Sequence, residues 1–358
     1  MIEKYTESRR PGSNSGLFFV NSFFEHSHRK MRIFVLLISV LLLSACNNYQ
    51  KVAFMGEAQG TYYAITYYDE SGRLLQTEID SLLKEFDMMA SLWQPQSTIS
   101  LVNENRPVEL SKEFIEIFNL AKQVSAKTEG AFDITVGPLT NAWGFWFREK
   151  IDVNQQVLDS LLPLVGFEQV RIENGRVIKE KPGIHFDFNA IAQGYSVDMT
   201  ADFLESKGIH KYLIDIGGEV LANGRKPGGE QWKVGIEKPV DEPIGSRELE
   251  AIVFLNDKAL ATSGSYRKFY VEDGLKYSHT IDPRTGYPVR HSLLSVSVLA
   301  KDCVTSDAYA TAFMVMGLEE SIAFLKEQDE LEAFFIYSDE DGNYRTHKTK
   351  GMRKIMYK

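Results

Sequence analysis

Apolar positions recur along this chain with two periods, and the changes of period mark its elements. Residues 62–68 read as a strand, whereas Leu75, Ile79, Leu82, Leu83 and Phe86 recur at helical spacing and predict a helix over 74–89. A second helix is predicted over 113–127, opened by Ser111 as N-cap and stopped at Gly130, and a third over 155–164 before Gly166. The runs 170–172 and 177–179 flank Asn174-Gly175, a pair suited to a tight hairpin turn, and a further strand pair is expected at 212–216 and 220–222 around Gly217-Gly218. Helix returns over 190–204, bounded by Gly208. Strands follow at 232–236, 251–255 and 294–299, then a helix over 306–316, a helix over 322–326, a strand over 332–337 and a last strand beyond Asp341-Gly342. Strands and helices mix with neither a strict βαβ rhythm nor a Gly-x-Gly-x-x-Gly turn, so the pattern predicts a single α+β domain rather than a dinucleotide-binding parallel sheet.

One apolar run fits neither period. Residues 33–43 follow Arg29, Lys30 and Arg32, are too short to span a bilayer, and end in Leu43-Ser44-Ala45-Cys46, the layout of a secretory signal. A small-residue cleavage site that leaves a cysteine first resembles the bacterial lipobox. That resemblance implies a signal peptide over 1–45, lipidation of Cys46, a tether over 46–52 and a catalytic domain over 53–358. An ordinary secretory signal in which Cys46 is incidental is the competing reading. Residues 1–30 carry no pattern and precede Met31, which is the expected true start.

Composition adjusts this picture only at its edges. A hydrophobic content of 44% suits an ordinary globular core. The formal charge of −9 becomes more negative once the leader and its basic residues are removed, and no segment offers the basic stripe that a nucleic-acid partner requires. With Cys46 acylated, Cys303 alone builds neither a disulfide framework nor a thiolate metal site.

Four polar, glycine-bearing segments stand apart from the core pattern, at 130–139, 187–195, 278–286 and 305–312. In the last, Asp307 and Thr311 are four residues apart and share a helix face, with alanines at 308, 310 and 312. A carboxylate and a hydroxyl there can share a hard cation, and oxygen donors without His or Cys favour Mg²⁺ over zinc. The competing reading makes Asp307 the helix cap, with Thr311 bonded back to its carbonyl. Asp187 ends the apolar stretch holding Ile184 and Phe186, three residues before a helix, where a ligand or a plain turn is equally served. Gln193 and Tyr195 fall on the first turns of that helix. His279 precedes the turn signal Asp282-Pro283-Arg284-Thr285-Gly286, so an exposed loop is expected; its imidazole can take a proton from a hydroxyl, though a histidine with no catalytic part is the competing reading. Ser263-Gly264-Ser265-Tyr266-Arg267 lacks a nucleophile elbow and reads as a ligand-facing turn.

These segments, in this order, resemble the FAD:protein FMN transferase family, also called the ApbE family. The match covers nearly all of 53–317. Supporting blocks are Met55-Gly56 ahead of Gly60-Thr61, the stretch 91–100 with Trp93, Trp143-Gly144-Phe145, the stretch 213–219, and Ala261-Thr262-Ser263-Gly264. The resemblance implies a T-fold-like α+β domain with FAD in a cleft as substrate and Mg²⁺ on its pyrophosphate. It implies metal ligation by the Ala190 carbonyl, Asp307 and Thr311, FAD contacts from Met55, Trp93, Ala131, Phe132, Asp133, Asp187, Gln193 and Ile281, and His279 as base. The implied reaction is attack of an acceptor threonine hydroxyl on the FMN-side phosphorus, with AMP leaving. The implied acceptor is a subunit of a membrane redox complex, met by a lipid-anchored enzyme on the periplasmic face of the inner membrane.

Two departures accompany the match. The family's Gly-Gly-Ile-Ala-Lys-Gly is Asn189-Ala190-Ile191-Ala192-Gln193-Gly194 here, a neutral amide replacing a lysine, and an insertion separates Met55-Gly56 from Thr61. A Mg²⁺-dependent FAD pyrophosphatase giving FMN and AMP, and a non-catalytic FAD-binding lipoprotein, are the rival readings.

Overall fold

The computed structural model describes residues 49–145, 151–239, 248–264, 269–272, 275–278 and 280–357. Cys46 with the whole signal segment, Ser265, Tyr266, Arg267 and His279 lie outside the described residues.

The first described element is a hairpin. β1 (Gln50–Ala58) pairs with β2 (Thr61–Asp69) along its whole length, from Gln50 opposite Asp69 to Ala58 opposite Thr61. Gln59 and Gly60 turn it with φ of 53° and 72°, a left-handed backbone that glycine accepts freely and glutamine adopts only under constraint. Residues 50–52, expected in the tether, are therefore the start of a strand, because pairing with β2 satisfies their backbone groups.

α1 (Gln76–Ala90) buries Ile79, Leu83, Phe86 and Met89, the stripe its spacing predicts. α2 (Thr98–Asn103) and α3 (Lys112–Lys127) begin after Ser97 and Ser111, whose side chains accept from the amides of Ser100 and Phe114. α4 (Gly137–Ala142) and α5 (Gln155–Leu161) lead to the hairpin of β3 (Val170–Glu173) and β4 (Arg176–Lys179), where Asn174 and Gly175 both take positive φ. After α6 (Ala192–Ser206) come β5 (Tyr212–Ile216), β6 (Glu219–Asn223) and a separate hairpin of β7 (Trp232–Glu237) and β8 (Leu249–Leu255). Next are β9 (Lys258–Gly264), the pair β10 (Phe269–Glu272) and β11 (Leu275–Ser278), β12 (Leu293–Ala300) and α7 (Cys303–Met316). α8 (Leu318–Leu325), β13 (Glu332–Ser338), β14 (Tyr344–Lys348) and α9 (Lys350–Ile355) complete the described chain.

Eight strands form one antiparallel sheet in the order β1-β2-β5-β6-β9-β12-β13-β14. Alternate side chains leave it on opposite faces. Ile65, Ile214, Val298 and Phe335 enter cores shared with α1, α3, α6 and α7. Ala222, Leu260, Leu299 and Phe334 pack against β7, β8 and α9. The mixed α+β architecture expected from the pattern is thus borne out. α7 lies innermost, against β9 and β12 on one side and α6 on the other, and alanines on both sides of the contact, Ala259 and Ala261 with Ala308 and Ala312, let helix and sheet approach closely.

The differences from expectation have local causes. β9 is rich in small residues, Ala259, Ala261, Ser263 and Gly264, that favour strands weakly, and is a strand because α7 and two sheet neighbours cover it. Ser263-Gly264, expected in a turn, is the end of that strand. α2, α4 and α9 are six residues each, too short to display a period. Asp187 does not follow a strand: residues around it run extended with a single parallel bridge, His185 to Val136, and α6 starts at Ala192 with Ile191 as N-cap.

Candidate functional site

The site is assembled from three pieces that the fold brings together. The first is the crossing of α6 and α7. Asp302, not Asp307, caps α7, accepting from the Thr305 amide at 3.0 Å. Asp307 lies in the helix body and is 7% exposed; its Oδ2 accepts from the Gly194 amide at 2.9 Å, and burial pushes its carboxyl well above the usual carboxylate range. Gly194 permits that bond: a Cβ there would stand 2.5 Å from the Cys303 carbonyl oxygen and 2.7 Å from the Asp307 Cβ. Thr311, one turn further along α7, and Ala190, in the turn before α6, both face a cavity of about 630 Å³.

The second piece is a pair of adjacent segments, 131–136 and 184–191, that form one wall of this cavity. The Asp187 amide donates to the Ile134 carbonyl at 2.7 Å. Asn103 clamps the preceding residue from both sides, its Nδ2 donating to the Phe186 carbonyl at 2.9 Å and its Oδ1 accepting from the Phe186 amide at 2.7 Å. Lys179 donates to the carbonyls of Val102 and Ile184, each at 2.9 Å, which ties α2 to the same segment. Thus held, Asp187 accepts from the Asn189 amide at 2.8 Å and from Thr140 at 3.4 Å, and lines the cavity. Asp133 lines it too, but its oxygens are occupied by the Thr135 amide and hydroxyl and by the Phe167 amide, and burial pushes its carboxyl up to about 6. Its side chain therefore braces the wall.

The third piece is a rim. Ala131 and Phe132 are buried in the wall, and Ile281 reaches it from a small cluster with Leu139, Trp143 and Leu158. Trp93 stands on the rim with 64% exposure, and Gln193 lines the cavity with its amide against Gly217. Met55 is not brought to the site: it is 66% exposed on edge strand β1, outside the cavity lining, because the insertion before Thr61 is taken up by a longer hairpin. The tip of that hairpin lines the cavity in its place. Gln59 holds positive φ there, its amide donates to the Asp87 carboxylate, and its buried Nε2 has no hydrogen-bond partner among the described residues. The left-handed backbone is what a two-residue hairpin turn requires, and the unpaired Nε2 belongs to a residue on the cavity wall. Sequence reading missed Gln59, and only its neighbour Gly60 signalled the turn.

The charge of the lining restricts what fits. Asp87, Asp133 and Asp187 contribute carboxylates, and among the described residues no Lys or Arg lines the cavity. A cation held on this wall would offset the charge of a polyanionic ligand. The Ala190 carbonyl and the Thr311 hydroxyl on the lining are hard oxygen donors, and the Asp307 carboxylate, one turn before Thr311 on α7 though not itself among the lining residues, has an Oδ1 with no hydrogen bond among the described residues. A divalent ion of the Mg²⁺ kind fits that donor set.

Comparison with known proteins agrees with this geometry. The ApbE family model matches residues 59–335. A Vibrio cholerae protein named FAD:protein FMN transferase is 37% identical over 318 residues, covering 86% of this chain and 94% of its own, and a Haemophilus influenzae protein of the same name is 33% identical over 333 residues, covering 88% and 94%. Among solved structures, the flavin transferase ApbE from Vibrio cholerae superposes with a TM-score of 0.76 at 35% identity, over 86% of this chain and 99% of that one. The apo flavinyl transferase ApbE of Pseudomonas stutzeri gives a TM-score of 0.76 at 32% identity, over 86% and 97%. With a family match across most of its length and a cavity built from the segments that carry the resemblance, the chain belongs to the ApbE family.

Proposed function

We propose that this chain is a magnesium-dependent FAD:protein FMN transferase, which moves the FMN half of FAD onto a threonine hydroxyl of an acceptor flavoprotein and releases AMP. The names of its relatives support the activity. The observation that supports the metal dependence is the set of oxygen donors, with Ala190 and Thr311 lining a cavity of about 630 Å³, a size typical of small-molecule sites, and buried Asp307 one turn before Thr311 on the same helix.

The chain's own residues have separable tasks. The Ala190 carbonyl, Asp307 and Thr311 supply oxygen ligands for Mg²⁺, which provides charge neutralisation at the pyrophosphate. The Gly194 amide orients the Asp307 carboxylate by holding Oδ2. Asp187, fixed by Asn103 through the Phe186 backbone, and the apolar wall of Phe132 and Ile281 position the nucleotide and exclude water from it. Trp93, on the rim, offers an aromatic face to the flavin. His279 is assigned the proton of the acceptor hydroxyl, on the strength of the family resemblance. The expected acceptor is a membrane redox subunit, and acylated Cys46 holds the enzyme on the same extracytoplasmic surface.

The test is incubation with FAD, Mg²⁺ and a peptide carrying a flavinylation threonine. A covalent flavopeptide with stoichiometric AMP is expected, and loss of both without Mg²⁺. Free FMN and AMP with unmodified peptide would replace transfer by hydrolysis; bound but intact FAD would replace both by storage.

A further inference from the structure

α6 and α7 each take a carboxylate from the other at their N-termini. α6 starts from Ile191, which has no side-chain acceptor, and the amide of Gly194 in its first turn is taken by Asp307 of α7. In return, Asp198, one turn along α6 from Gly194, accepts from the first two amides of α7, Cys303 to Oδ1 and Val304 to Oδ2, both at 2.8 Å. Asp302 takes the next, from Thr305. Two carboxylates thus share one helix start, and Asp302 alone would serve as cap. Asp198 differs in coming from another helix, so its bonds fix where α7 sits on α6.

That matters because three directional bonds on this contact set its register, Gly194 to Asp307 and Cys303 and Val304 to Asp198, and Asp198 accepts two of the three. Apolar contact along the rest of the helix pair is non-directional. Each residue turns a helix by about 100° and advances it about 1.5 Å, so a slip of one residue would carry Asp307 and Thr311 away from the Ala190 carbonyl. We propose that Asp198 is a positioning residue for the metal site: by gripping the Cys303 and Val304 amides it locks α7 in the register that sets Asp307 and Thr311 across from Ala190. The proposal rests on the metal ligation assigned above.

The experiment reads Mn²⁺ binding to the full enzyme without FAD, by calorimetry and by the electron paramagnetic resonance of the free ion, in the parent and in Asp198→Asn, Asp198→Glu and Asp307→Ala. Asp198→Asn keeps the shape but replaces one acceptor oxygen by a donor facing a donor. Asp198→Glu keeps charge and acceptors but displaces them by one methylene. Both are expected to raise the Mn²⁺ dissociation constant about 10-fold or more, the usual consequence of disturbing a ligand's support. Faster hydrogen exchange at Cys303 and Val304 and recovery of turnover at high Mg²⁺ should accompany the loss. Parent-like Mn²⁺ affinity in both Asp198 variants, with binding lost in Asp307→Ala, overturns the positioning role and leaves the metal site standing. Parent-like affinity in Asp307→Ala overturns the metal assignment itself. Failure of both Asp198 variants to fold assigns the residue to stability alone and also overturns the proposal.

Discussion

Gln59 shows at the scale of one residue how a site departs from its sequence signature. Met55 carries the family's wording, yet the hairpin pairing leaves it exposed, while Gln59, at a strained turn, lines the cavity with an orphaned amide donor. Burying an amide without a partner costs roughly 1–3 kcal/mol, so the free enzyme carries a penalty that a ligand acceptor relieves. Gln59→Leu is therefore expected to leave thermal stability equal or higher while weakening FAD binding by about 1 kcal/mol or more, several-fold in the dissociation constant. Flavin fluorescence titration checks this, and unchanged affinity would return Gln59 to a purely structural turn. Asp133 teaches the converse lesson. Its segment lines the cavity, but its oxygens are spent on Thr135 and Phe167, so its side chain braces the wall. No sequence spacing distinguishes a carboxylate that faces a ligand from one that faces the adjacent loop.

Among elements, the helix with Asp307 and Thr311 was the most legible feature of the site. Spacing of four on one face and a run of small residues predicted a shared oxygen face, and Asp302 removes the alternative in which Asp307 is the cap. What spacing left open was the partner across the gap. Gly194 supplies it, because only a residue without a Cβ lets α6 come so close to the Cys303 carbonyl. Gly194→Ala should therefore force the helices apart, with a stability loss of about 1–3 kcal/mol as for other overpacked cores, and a fall in turnover that excess Mg²⁺ does not fully restore. Urea unfolding and metal-dependent initial rates measure the two effects separately. Parent-like stability would mean that α7 yields more easily than its close packing implies. β9 was illegible for the opposite reason: its two alanines, its serine and its glycine favour no strand, and coverage by α7 and its sheet neighbours makes them one.

For the whole molecule, no helix among the described residues is long and apolar enough to cross a membrane, and the proposed attachment rests on the lipobox resemblance at Cys46, which lies outside the described residues. Cys46→Ser is expected to move the chain from the membrane to the soluble fraction without changing turnover on a soluble acceptor peptide. Continued sedimentation with membranes, without acyl labelling, would count against lipidation. The sequence alone determined the main elements, the α+β class, the shared face of Asp307 and Thr311 on α7 and the family, because hydrophobic period, capping residues and ordered motifs are local properties of the chain. Tertiary structure alone decided that β1 begins at Gln50, that Gln59 rather than Met55 reaches the cavity, that Asp133 turns inward, and that α6 and α7 cap each other through Asp198 and Asp307. Those outcomes depend on which groups meet across more than a hundred residues of chain in the helix pair, and on which side of a paired strand a side chain emerges. Neither is set by any local pattern, since burial and partnership exist only once the sheet and its helices have closed on one another.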